Sequence, residues 1–201
     1  MFRLVGGGDK RQPLAYPFAM TAAGDRTIVA SIEAEYRRYQ RLGEQALAQL
    51  EAADLTRRAP GDGNSVAILV WHVSGNLASR FTDFLATDGE KPWRDRESEF
   101  ASRDVSPAEV MKKWSEGWAV LFRSLAELAD AELPRLVTIR GQELSVLDAL
   151  HRSLAHASYH VGQVVMLARA WRGEGWRFLT IPPGKSDDYN RNPTREKGPP
   201  A

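Results

Sequence analysis

TDGEKPWRDRESEFASRDV, residues 87–105, is a mostly polar segment between two helical patterns, and its length governs the topology. At roughly 3.3 Å per residue it can reach about 60 Å. A helix of about 22 residues is only about 33 Å long. The chain can therefore return to the starting end of one helix before the next begins. That favours a four-helix bundle with one long crossover between helices two and three over a simple up-down-up-down arrangement.

The patterns on either side supply the helices. Before the segment, Asn64 or Ser65 is a good N-cap, and Ile68, Leu69, Val73, Leu77, Phe81 and Phe84 predict a second helix to about Ala86. After it, Ser106-Pro107-Ala108-Glu109 has the form of a capping box with Pro at the first helical position. Val110, Trp114, Trp118, Leu121, Leu125 and Leu128 then carry a third helix that ends before Pro134. Further out, Ile28, Ile32, Tyr36, Tyr39, Ala46, Leu47 and Leu50 mark a first helix over about Arg26 to Ala52. A fourth starts near Ser145, with Asp148 three residues on, and runs to about Trp171, where Gly173 and Gly175 stop it. Residues 136–142, LVTIRGQ, read as a short extended or hairpin segment before that helix. The expected fold is all-α.

Composition sets limits. A hydrophobic fraction of 43% is ordinary for a folded globule. The net charge of +1 gives no reason to expect binding along a nucleic-acid backbone. The absence of cysteine excludes disulfides, thiolate metal ligands and a cysteine nucleophile in this chain. No apolar run approaches the roughly 20 residues needed to span a bilayer, so no membrane partner is expected. Residues 1–19 read as a flexible lead, with translation starting at Met1 or Met20. Residues 20–184 read as the bundle, and 185–201 as a flexible tail rich in Pro, Asn, Lys and Arg. Without a targeting signal, the default location is the cytoplasm.

Four histidines are present: His72, His151, His156 and His160. His156 and His160 are one turn apart and share a helix face. His72 falls on or beside the apolar face of the second helix. His151, about 140° around the helix from His156, points elsewhere. Three imidazoles from two helices suit a divalent ion with open coordination positions. They equally suit three hydrogen-bonded core histidines, since no full zinc signature is present. Gln163 lies on the stripe of His156 and His160, and Asn76 is one turn after His72, so their amides could orient a ligand. Arg80 and Asp83 are candidates for a substrate mouth. Arg94-Asp95-Arg96-Glu97 reads most simply as a solvated loop, and the six tryptophans as mostly core.

The stretches Val70-Trp71-His72-Val73-Ser74-Gly75-Asn76-Leu77, Arg80-Phe81-Thr82-Asp83-Phe84-Leu85, Asp88-Gly89-Glu90-Lys91-Pro92-Trp93 and His156-Ala157-Ser158-Tyr159-His160-Val161-Gly162-Gln163 resemble the DinB/YfiT-like superfamily, within a branch of unknown function. The resemblance spans about Thr27 to Tyr189. It implies a four-helix bundle, often dimeric, with His72, His156 and His160 as ligands to a divalent metal, commonly zinc or nickel. It also implies metal-dependent transfer or isomerisation of a small metabolite, with a low-molecular-weight thiol such as mycothiol, bacillithiol or glutathione as cosubstrate, or else hydrolysis. The alternative is a stress-associated, non-catalytic module for metal binding or dimerisation. Duplex-DNA binding is a distant third reading.

Overall fold

A computed structural model describes residues 26–194 of the chain. The lead at 1–19, the Met20 start and the end of the tail lie outside those residues.

Helix α1 (Thr27–Leu47) has no side-chain cap of its own. Its first amides, Ile28 and Val29 N–H, donate instead to the Asp130 carboxylate, in a 3-10 turn far along the chain. After α1 the chain breaks at 48–51 and forms the short α2 (Ala52–Thr56), whose start is held by a capping box between Glu51 and Asp54. The first helix is therefore shorter than its pattern predicted. Gln49 has left the helix and exchanges hydrogen bonds with the Arg177 backbone.

Helix α3 (Val66–Phe81) starts at Ser65, whose hydroxyl accepts from Ile68 N–H. It ends before the expected Ala86: Thr82 turns extended, with ψ of 125°, and Asp83 follows in a left-handed conformation with φ of 48°. The returning segment holds the short α4 (Arg96–Glu99). Helix α5 (Pro107–Ala126) carries the expected box, with Ser106 and Glu109 capping each other.

Strands β1 (Leu136–Ile139) and β2 (Gln142–Ser145) then pair antiparallel, Leu136 opposite Ser145 and Ile139 opposite Gln142. Their two-residue turn has positive φ at both Arg140 and Gly141, the pair of values a tight hairpin requires. Helix α6 (Val146–Arg172) begins at the Ser145 cap and ends at Gly173. The near part of the expected tail carries a short α7 (Ser186–Asn190).

The four long helices touch in a closed ring: α1 on α6, α6 on α3, α3 on α5, and α5 on α1. Tyr36 of α1 ties the ring together. Its ring meets Trp118 of α5 and Phe81 of α3 edge-on, and its hydroxyl donates to the Leu150 carbonyl of α6 at 2.9 Å. Trp114 and Trp118 are wholly buried beside it.

The segment after α3 does run back along that helix. Arg103 stacks over Trp71 near the start of α3, and Ser102 meets Arg58, which is bridged to Ser65. Ser74 then donates to the Lys113 carbonyl, so α3 and α5 begin at the same end. Among the described residues no helix is long and apolar enough to cross a membrane.

Candidate metal centre

His72 sits midway along α3, and His156 and His160 sit midway along α6. The packing of these helices brings one ring nitrogen of each histidine within 4.8 Å of the others. The Nε2 atoms of His72 and His156 are 3.2 Å apart. Two nitrogens bound to one tetrahedral zinc would lie about 3.3 Å apart, so this pair fits a shared cation closely. His151 is exposed and takes no part in the cluster, as the rotation along the helix predicted.

The outward nitrogens settle which atoms face inward. His72 Nδ1 lies 2.9 Å from the Glu99 carboxylate, an acceptor that takes the ring proton. His160 Nδ1 lies 2.8 Å from Gln163 Oε1 and donates to it. In its neutral form each of these rings presents a bare Nε2 lone pair to the cluster, the tautomer that metal ligation needs. The Gln163 amide is thus occupied in orienting His160, and its NH2 donates to the Tyr159 hydroxyl.

Electrostatics favour neutral rings at His156 and His160. Burial, followed by the charges of His160 and His72, pushes His156 down to about 3. Burial likewise lowers His160, against the opposing bond to Gln163. Burial alone would raise Glu99, but its bonds to His72 and Arg94 outweigh that and hold it below the usual carboxylate range.

Glu99 and Arg94 correct the expectation of a solvated loop. The Arg94 side chain is only 2% exposed and binds Glu99 through Nε and Nη2, at 2.8 and 2.9 Å. The polar run thus supplies a buried ion pair laid over the α3 histidine. No spacing or periodicity in the sequence points to it. Gly75, one turn from His72, makes the approach feasible, since a side chain there would collide with the Glu99 carboxylate.

A cavity of about 220 Å³ opens beside His72 and His156. Asn76 and Arg80, both named from the sequence, line it. Asp83 does not: it lies beyond the end of α3, so helical rotation no longer carries it onto the face of His72. Arg152, one turn before His156 and also on the lining, was open to the same spacing argument that found Asn76.

Residues 24–185 match the family described as a protein of unknown function, DUF1572. This chain belongs to the DUF1572 family. No curated protein matches this DUF1572 chain. Among solved structures, a conserved protein from Enterococcus faecalis is 19% identical, covers 71% of this chain and 95% of its own, and superposes with a TM-score of 0.54. That likeness concerns the fold. The histidine cluster of this DUF1572 member rests on its own geometry.

Proposed function

We propose that His72, His156 and His160 hold one divalent cation, zinc or nickel, within a four-helix bundle of the DinB/YfiT-like kind. In this reading a small metabolite reacts in the adjoining cavity by metal-dependent transfer or isomerisation, with a low-molecular-weight thiol as cosubstrate. The observation that supports it is the convergence of three imidazoles, two with the outward nitrogen tied to a carboxylate or amide, on one point beside a cavity. When bound, such a cation lowers the pKa of a thiol or water at its open position and so supplies a nucleophile at neutral pH.

The remaining work falls to the chain itself. Glu99 and Gln163 fix the orientation of two rings, and such partners hold ligands in place for binding. Asn76 and Arg80 orient the ligand from the α3 side, while Phe81 and Phe84, at and just beyond the end of that helix, limit water in the cavity. A cytoplasmic homodimer belongs to the same reading, and sedimentation of the purified chain tests the dimer.

The test begins with metal content, measured by mass spectrometry on protein purified without a His tag, alongside His160→Ala. About one metal per chain, lost in the variant, is the expected result. No stoichiometric metal after incubation with zinc or nickel overturns the centre. With the metal established, a screen of physiological thiols against electrophiles tests the enzyme. Absence of any metal-dependent product leaves a binding module.

A further inference from the structure

Five of the residues lining the cavity are arginines: Arg80, Arg94, Arg96, Arg140 and Arg152. Among the described residues no Asp or Glu lines it. Behind the wall, three of these guanidiniums share two carboxylates. Glu90 takes Arg80 and Arg140, and Glu99 takes Arg94, while Arg96 pairs separately with the exposed Glu97. Arg94 keeps one nitrogen, Nη1, without a hydrogen bond among the described residues; the Glu90 carboxylate is 4.0 Å from it. Arg152 has no acidic partner at all among the described residues. It stands on α6 one turn before His156, on the same side of the cavity.

Phe81, Phe84, Ile139 and Ala149 supply the apolar part of a lining that also holds His72, Asn76 and His156. A cleft in which positive charge exceeds negative concentrates anions. Guanidiniums are suited to the planar or tetrahedral oxyanions of carboxylates and phosphates.

We infer that the cavity is a receptor for a small oxyanion, a carboxylate or phosphate group. Arg152 and the Nη1 of Arg94 are its contacts. The volume limits the ligand, since about 220 Å³ holds roughly seven waters at about 30 Å³ each. That suits a short dicarboxylate or a phosphomonoester. This rests on reading the cavity as the substrate chamber of the histidine centre, and it names the substrate's charged handle. The anion contacts do not themselves require the cation.

The test is calorimetric titration of the full chain with inorganic phosphate, with succinate and with uncharged succinamide. Each titration is run on chelator-treated and on zinc-loaded protein. Phosphate or succinate should bind and succinamide should not, and Arg152→Gln should weaken binding at least tenfold. Arg152 is exposed, so this variant keeps the fold. Whichever anion binds more tightly identifies the handle. Binding of neither anion in either state, or binding unchanged by Arg152→Gln, overturns the inference. Metal stoichiometry, measured separately, shows whether the histidine centre fails with it. Anion binding without bound zinc supports the receptor while leaving the centre to its own test.

Discussion

At the residue scale, Glu99 is the most informative side chain in the molecule. It is 5% exposed, yet its two oxygens serve His72 on one side and Arg94 on the other. Glu99→Gln should weaken zinc affinity by about 10- to 100-fold in a chelator-competition titration, whereas Glu97→Gln, on an exposed neighbour, should leave it unchanged. Glu99→Ala strands a buried guanidinium and should cost about 3–5 kcal/mol in urea unfolding of the chelator-treated protein. Acid should act on the same cluster. His156 is held near 3 in the folded chain, and His160 is also lowered, while an unfolded histidine titrates near 6.5. Between those values the unfolded state binds more protons, so stability rises with pH through that window and is lost as pH falls from about 6.5 towards 3. Glu99 adds a further loss below its unfolded value of about 4.5 as its lowered folded value is approached. The midpoint of thermal unfolding of metal-free protein, followed over that range, should decline steadily, and His156→Gln should flatten part of the slope.

At the scale of elements, the starts of α3, α5 and α6 were legible because their chemistry is local. Ser65, Ser106 and Ser145 each cap the amide three residues on, and the sequence displays both partners. The histidine set was legible for a related reason, since helical rotation is fixed once the helix is. The ends of α1 and α3 were less so. Nothing in Ala46–Ala52 disfavours helix, and the break comes with partners distant in sequence, such as Arg177. The segment after α3 was readable in length but not in content. Its charges look solvated until the chain returns over α3 and they neutralise one another there. Gly75 is the contact that permits the return. Gly75→Ala raises helix propensity by about 1 kcal/mol, yet it should displace Glu99 and lower zinc affinity, a combination that separates α3 stability from placement of the segment. Circular dichroism and chelator competition on the same variant check both halves.

At the scale of the whole molecule, the cluster joins α3 to α6, which are one contact of the four-helix ring. A ligand that binds only the folded state stabilises it by mass action, by about 2.7 kcal/mol at a hundredfold excess over Kd. Zinc should therefore raise the midpoint of thermal unfolding in the wild type and leave His160→Ala unmoved. The same placement has a consequence for how the chain comes to its final state. His72 and His156 are separated by 84 positions, so a cation between them closes a long loop, the kind for which a cross-link removes the most freedom from the unfolded chain. During synthesis the loop cannot close until α6 has emerged from the ribosome. A cation held by the cluster would therefore be acquired late, as a removable staple between two helices.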